Sequence, residues 1–179
     1  MIATIAAKSS VRSGRPINEA ITARIIAPLG LGSMRALSPG KSPSDVAPAP
    51  GGRESIDPSW AGAAGPIASD GRDMAMAWAA LLEGRLLDRA LLKEMTATLY
   101  PMFDPGTFYG LGIMVFEVPD GRSTLRWVGH AGGAPGVSAL AAYSRADDAI
   151  VAVALTGGGS ATAAANLLLK SVAPAGRRP

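Results

Sequence analysis

The stretch VSALAAYSRADDAIVAVAL, residues 137–155, decides the fold of this chain. Two apolar runs, 137–143 and 149–155, are separated by Arg-Ala-Asp-Asp, a polar connection of the length that joins neighbouring antiparallel strands. The second run is apolar on both faces, which is typical of a strand that helices cover from both sides. The stretch therefore predicts two paired strands inside a layered fold.

The sequence on either side extends this pattern. Residues 109–118 alternate between apolar and polar side chains and lead into Pro119-Asp120-Gly121, a hairpin turn signal, and residues 124–128 form the returning strand. On the other side, three glycines lead into an Ala/Leu-rich helix at residues 161–172. We therefore expect four consecutive antiparallel strands followed by a carboxy-terminal helix.

The first part of the chain has helical periodicity. Isoleucines recur at helical spacing over residues 17–27, and we expect Pro28 and Gly30 to end that helix. Ser69 is the predicted N-cap of a second helix that ends at Gly84, and Asp88 is the predicted N-cap of a short third helix.

Between the first two helices, residues 32–58 are rich in Pro, Gly, Ser and Ala and predict a long extended loop. The prediction is an α+β fold: a helical region at residues 1–106, followed by a four-stranded antiparallel sheet with its helix at 107–179. We interpret the two as parts of one incomplete domain.

Composition excludes several classes of function. The chain has 179 residues, enough for one domain, and it has no cysteine and one histidine. Disulfides, thiolate nucleophiles and Cys-ligated metals are therefore excluded, and we expect no metal and no cofactor. No apolar run approaches the roughly 18 residues that span a bilayer, so no membrane span is expected. The amino terminus does not have the pattern of a signal peptide.

Charge is distributed unevenly. Residues 1–53 carry a balance of +5 and residues 54–179 a balance of −2. The basic residues are isolated and have no aromatic side chains between them, a pattern that indicates a solvated surface rather than a nucleic-acid site. No nucleic-acid partner is expected.

Generic catalytic motifs do not account for the chain. Gly40-Lys41-Ser42 resembles the end of a phosphate-binding loop, but Arg35 stands where the first glycine of that motif belongs. A nucleophile elbow of the Gly-x-Ser-x-Gly type does not occur. His130 is the single imidazole; it follows an apolar strand and precedes small residues that let a backbone or a ligand approach closely. A lone histidine is more often structural, so further context has to decide its role.

Six segments supply that context, because their order resembles the carboxy-terminal half of the serine β-lactamase-like hydrolases. This family includes class C β-lactamases, D-alanyl-D-alanine carboxypeptidases and related esterases. The segments are GRPI at 14–17 with IIAPLGL at 25–31, AGPIAS at 64–69 with DM at 73–74, LLEGRLL at 81–87, YGLG at 109–112, GHAGGAPG at 129–136 and LTG at 155–157. One departure is Pro66, which stands where the family has a second glycine.

The resemblance implies a specific mechanism. Such enzymes use a serine nucleophile in Ser-x-x-Lys, a Tyr-x-Asn element, and a Lys/His-x-Gly box on the strand that borders the cleft. His130-Ala131-Gly132 matches the third box, which implies that His130 meets a substrate carboxylate or joins the proton network. Gly132 and Gly133 would then border the substrate, and the backbone N–H of Gly133 would be one donor of the oxyanion hole. Small residues on a strand allow an N–H to reach a developing oxyanion.

The other two boxes do not match. Ser38-Pro39-Gly40-Lys41 is the one Ser-x-x-Lys sequence, but the chemistry needs serine and lysine one helical turn apart, and Pro39 and Gly40 disfavour a helix. It also follows the segment at 25–31, whereas the family's nucleophile precedes that segment. None of the three tyrosines begins a Tyr-x-Asn element. We therefore do not expect Ser38 to be the nucleophile, which the resemblance places upstream of this chain.

The resulting interpretation is a carboxy-terminal fragment with an incomplete β-lactamase/transpeptidase-like fold. Its parent enzyme would hydrolyse a β-lactam, a D-Ala-D-Ala peptide or an ester, and the fragment alone would be inactive. The alternative is a non-catalytic remnant that binds a ligand or a partner near His130.

The expected partners are the small-molecule substrate of the parent enzyme and the missing amino-terminal half. The family's sheet also takes strands from that half, and without them the four remaining strands would leave an unprotected edge, so association or aggregation is expected. The family is often periplasmic or secreted, and the sequence leaves the location of this protein open.

Overall fold

The computed structural model describes residues 14–38, 40, 44–48, 57, 64 and 67–172. About half of the predicted loop at 32–58, including Pro39 and Lys41, lies outside the described residues. The helices are α1 (Ile17–Ile21), a π-helical segment (Thr22–Ile26), α2 (Ala27–Leu29), α3 (Gly71–Leu82), α4 (Arg89–Met95) and α5 (Ala161–Val172). The strands are β1 (Arg35–Ala36), β2 (Ile67–Ala68), β3 (Tyr100–Met102), β4 (Asp104–Tyr109), β5 (Met114–Asp120), β6 (Ser123–Ala134), β7 (Val137–Ser144) and β8 (Ala149–Thr156).

The α+β architecture is confirmed, but the predicted number of strands was wrong. The main sheet has six antiparallel strands in the order β3-β4-β5-β6-β7-β8, so every strand pairs with its neighbour in sequence. The predicted strand at 109–118 is divided, because a turn in which the Gly110 N–H donates to the Ile113 carbonyl (2.8 Å) separates β4 from β5. β3 and β4 were missed because each contains a proline, which weakens the sequence pattern of a strand.

The predicted turns join the remaining strands. Gly121, with φ of +60°, and Arg122 connect β5 to β6, and residues 145–148 connect β7 to β8. A glycine suits the first turn because a positive φ carries no steric penalty for a residue without a side chain.

The first helix runs further than predicted. Pro28 does not end it, because the preceding turn widens into a π-helix in which the Ala27 N–H donates to the Thr22 carbonyl. A proline has no N–H to donate, and the wider turn accommodates its ring. Gly30, in the left-handed conformation with φ of +64°, ends the helical run.

The predicted N-cap is wrong by one residue for α3 and correct for α4. Asp70, and not Ser69, caps α3: its Oδ1 accepts from the Asp73 N–H at 2.8 Å, while the Ser69 hydroxyl donates to the Asp70 carbonyl. Both residue types are good caps, so the backbone conformation at 70 decides between them. Asp88 caps α4 as predicted, with Oδ1 accepting from the Leu91 N–H at 2.9 Å.

The main core lies between the sheet and α5. It is formed by buried side chains of β5, β6, β7 and α5, namely Met114, Phe116, Trp127, Leu140, Ala142, Ala161, Ala165 and Leu169. Both α3 and α5 contact β8, which is an edge strand of the sheet and pairs only with β7 among the described strands. The division of the chain at residues 106 and 107 stays a prediction.

A second junction ties the first helix to α3. The carboxylate Oδ2 of Asp73 accepts from the Ser33 N–H (2.6 Å), the Ser33 hydroxyl (2.8 Å) and the Met34 N–H (3.2 Å). Chiefly because of these donors from Ser33, the pKa of Asp73 lies below its usual value. Met34 packs with Ile26 and Leu31 in a small apolar cluster beside this carboxylate.

Candidate functional site

The end of β6 extends beyond its neighbour. β5 begins at Met114, which pairs with Gly129, whereas β6 continues to Ala134 and pairs with β7 from Trp127 to Ala134. Residues 130–134 therefore have a strand partner on the β7 side and none from β5. This open stretch contains His130, Gly132 and Gly133, so the structure brings the three predicted site residues together.

The Gly133 N–H points to the open side of β6. The Ala131 N–H donates to Met114 Sδ at 3.3 Å, so it faces away from β7. Alternate residues of an antiparallel strand direct their N–H groups to the same side, and Gly133 is two positions further along. The register thus presents this N–H beyond the first residue of β5.

Gly132 and Gly133 differ in the space around them. A Cβ at Gly132 would meet no atom within 4 Å, whereas one at Gly133 would lie 2.9 Å from the Val137 carbonyl oxygen. Small residues keep this surface free of side chains, which is what a close approach by a carbonyl substrate requires.

His130 makes its described side-chain hydrogen bond with Tyr109, the last residue of β4. The Tyr109 hydroxyl lies 2.9 Å from Nε2 of His130, and the two rings meet edge to face with centroids 5.5 Å apart. Tyr109 and Ala131, the residue after His130, both pack against the α5 cluster, so the hydrogen bond ties His130 to the border of the main core.

Burial keeps both rings neutral. It lowers the pKa of His130, and a backbone hydrogen bond with Ala131 acts in the opposite direction. Burial also raises the pKa of Tyr109. At neutral pH the pair therefore consists of an uncharged imidazole and an uncharged phenol.

Tyr109 is the residue of this site that the sequence did not single out. In the sequence it is the first letter of the YGLG segment, and its partner lies 21 positions away. No local pattern reports a contact between residues so far apart in sequence.

The described hydrogen bond of Ser38 is with Asn18, which is not a residue of this site. Its Oγ accepts from Asn18 Nδ2 at 3.0 Å, and Lys41 lies outside the described residues. Within the part of the chain that the structure describes, no contact joins Ser38 to His130. The expectation that Ser38 is not the nucleophile stays a prediction.

A cavity of about 150 Å³ lies beside α5 and is separate from this site. Trp127 and Asn166 line it, and the Trp127 indole N–H and the Asn166 amide oxygen have no hydrogen-bond partner among the described residues. His130, Gly132 and Gly133 do not line it. The cavity therefore contributes nothing to the box on β6.

The described residues contain no group of three or more His, Cys, Asp or Glu side chains that could hold a metal ion. None of their helices combines the length and the apolar character needed to cross a membrane.

Comparison with known proteins gives one family and several solved structures. A statistical model of the family described as Beta-lactamase matches residues 1–173. No curated protein matches the chain. A D-stereospecific amidohydrolase from Streptomyces sp. is 34% identical with a TM-score of 0.66, and the match covers 80% of this chain and 44% of that chain.

Two further structures have similar folds. The D-amino acid amidase from Ochrobactrum anthropi SV3, in complex with D-phenylalanine, is 26% identical with a TM-score of 0.72, covering 90% of this chain and 56% of that chain. A penicillin-binding protein from Bacillus halodurans is 19% identical with a TM-score of 0.66, covering 87% and 51%, a likeness that shows the fold alone. The chain spans about half the length of these solved relatives.

Proposed function

Because the chain belongs to the β-lactamase family, we propose that it supplies the cleft-bordering strand of a serine hydrolase that cleaves an amide, an ester or a β-lactam. His130, Ala131 and Gly132 form the third box of that site, and Gly133 beside it is the backbone donor to the oxyanion. The serine nucleophile and the Tyr-x-Asn element come from polypeptide outside these 179 residues, so the chain alone is inactive.

The observation that supports this proposal best is the direction of the Gly133 N–H. It faces the open side of β6, where no strand partner from β5 takes it up. A fixed backbone donor on a surface without side chains is suited to a carbonyl oxygen that gains negative charge in the transition state.

The reaction proceeds in two steps. The serine oxygen bonds to the carbonyl carbon, its proton passes to the general base, and the carbonyl oxygen becomes an oxyanion that accepts from the Gly133 N–H. The bond to the leaving group then breaks, and the amine or alcohol departs with a proton. Water attacks the resulting ester in the same way, which releases the acid and restores the serine.

Amides are the first substrate class to test. Two of the solved relatives are described as a D-stereospecific amidohydrolase and a D-amino acid amidase, at 34% and 26% identity. The assay therefore uses three substrates: a D-amino acid amide, a chromogenic cephalosporin and a nitrophenyl ester.

The first experiment compares the purified chain with a mixture that also contains a segment bearing Ser-x-x-Lys and Tyr-x-Asn. The chain alone should give the background rate on all three substrates, and the mixture should gain serine-dependent turnover. Turnover by the chain alone that Ser38→Ala abolishes and Ser69→Ala leaves intact would overturn the proposal.

A matched pair of variants tests the donor itself. Gly133→Pro and Gly133→Ala both add a Cβ near Val137, but only proline removes the N–H. In the active mixture Gly133→Pro should lower kcat by a further factor of about 10² to 10³ relative to Gly133→Ala. Equal rates, with both variants folded by circular dichroism, would exclude the oxyanion role.

A binding role without turnover is the second candidate. Large apolar side chains are exposed at Phe103 (82%) and Leu167 (72%), and a bound partner would cover such side chains. Ligand or partner binding that persists in a mixture with no serine-dependent turnover would support this role instead.

A further inference from the structure

The imidazole of His130 has a hydrogen-bond partner at Nε2, which lies 2.9 Å from the Tyr109 hydroxyl. Of the two groups, the phenol O–H is the stronger donor and the imidazole nitrogen is the stronger acceptor. The contact is therefore a hydrogen bond that Tyr109 donates to Nε2.

This arrangement decides which nitrogen carries the proton. A neutral imidazole has one N–H, and a phenol that donates to Nε2 leaves that proton on Nδ1. Nε2 is then an acceptor, and the donor to it is the Tyr109 hydroxyl. Burial favours the uncharged form of both side chains, in agreement with this assignment.

Among the described hydrogen bonds, the His130 ring makes the one with Tyr109. On β7 the residue paired with His130 is Ala141, and β5 begins at Met114, which pairs with Gly129. Ala141 and Met114 are both apolar. None of the described charged side chains contributes to the pKa of His130.

We propose that Tyr109 is a positioning residue whose hydroxyl donates to Nε2 of His130 and holds the ring as a neutral imidazole protonated at Nδ1. In this state the ring carries no positive charge for a substrate carboxylate, which differs from the role that the family resemblance implies. Recognition at the box then depends on backbone groups such as the Gly133 N–H.

A consequence for the substrate rests on the proposed function. Without a cation at His130, the site has no charge to pair with a carboxylate at this position. The enzyme would therefore favour amides and esters whose acyl portion is uncharged there over substrates that carry a carboxylate. The protonation state of the ring does not depend on this consequence.

The test uses the single histidine of the full 179-residue chain, whose imidazole signals need no assignment. Long-range ¹H–¹⁵N NMR at pH 8 should show a protonated Nδ1 and an unprotonated Nε2 that accepts a hydrogen bond. A wild-type ring protonated at Nε2, or one that titrates at its ordinary pKa of 6.5, would overturn the proposal.

Two tyrosine variants complete the test. Tyr109→Phe should shift the Nε2 signal, increase the population protonated at Nε2 and raise the pKa of His130 by about 0.5 to 1. Tyr143→Phe is the control, because its hydroxyl donates to Asp148 at 3.1 Å and its loss should leave the imidazole signals unchanged. Identical spectra for Tyr109→Phe and wild type would contradict the proposal.

These outcomes are separable from the proposed function. If Tyr109→Phe fails to fold, the wild-type spectrum still decides the position of the proton. An inactive mixture would count against the hydrolase and would leave the NMR result intact. An active mixture with the Nε2-protonated ring would support the hydrolase and exclude the positioning role.

Discussion

Two junctions hold this chain together by different means. Between the sheet and α5, the contact is apolar and spread over many side chains, with Leu169 only 1% exposed at its centre. Between the first helix and α3, the contact depends on one carboxylate, Asp73, which receives three donors from Ser33 and Met34. The first should therefore be insensitive to pH, and the second should weaken in acid.

The two junctions should therefore respond differently when one side chain is removed. Removing one apolar side chain leaves a cavity, while its neighbours still pack. Removing the Asp73 carboxylate leaves backbone and hydroxyl donors without their acceptor, which carries a larger penalty per atom removed.

The largest expected effect breaks the apolar junction. Leu169→Ala should lower the free energy of unfolding by about 3 kcal/mol, because it opens a cavity under α5. Leu167→Ala on the same helix, where the side chain is 72% exposed, should change it by less than about 0.5 kcal/mol. Urea denaturation of both variants measures the difference, and equal values would show that α5 does not dock through Leu169.

A smaller effect, with a distinct pH dependence, is expected at Asp73. Its pKa in the folded state lies below the ordinary 3.8, so its contribution is fully present above that pH and is lost as the pH falls through the folded pKa. Asp73→Asn should lower Tm at pH 7 by roughly 5 °C and should flatten the loss of stability between pH 4 and pH 2.

The control for Asp73 is an exposed carboxylate. Glu83→Gln removes an acid that pairs with Arg85 at the surface, and it should leave Tm at pH 7 nearly unchanged. If Asp73→Asn and Glu83→Gln have the same acid profile, the polar junction does not depend on the charge of Asp73.

The smallest expected effect tests which residue caps α3. Asp70→Ala removes the N-cap and should lower the free energy of unfolding by about 1 kcal/mol. Ser69→Ala, one residue earlier, should change it by less than about 0.5 kcal/mol, because its hydroxyl bonds only the neighbouring Asp70 carbonyl. The reverse order in chemical denaturation would restore Ser69 as the cap.

Local patterns account for what could be predicted. The strands β5 to β8 and the helix α5 follow from alternation, turn residues and an Ala/Leu-rich run, all of which act within a few positions. β3 and β4 escaped prediction because Pro101 and Pro105 interrupt their patterns. The cap of α3 was displaced by one residue because Ser69 and Asp70 are equally suitable chemically, and only the backbone angles distinguish them.

Some features of the candidate site likewise follow from local sequence, and others depend on the fold. The order of small residues after His130 is a local feature, and the sequence was sufficient to place Gly132 and Gly133 beside it. The direction of the Gly133 N–H is not local, because it depends on where β5 begins relative to β6. The Tyr109 hydroxyl reaches His130 only because three strands bring residues 21 positions apart into contact.

The sequence by itself determined the fold class, the family and the composition of the box on β6. Each of these depends on which residues are present and on their spacing. Tertiary structure decided the electrostatic state of the two most informative polar groups. Asp73 is held charged by donors some 40 residues away, and His130 is held neutral by burial. Protonation depends on solvation and on distant partners, and neither is determined before the chain folds.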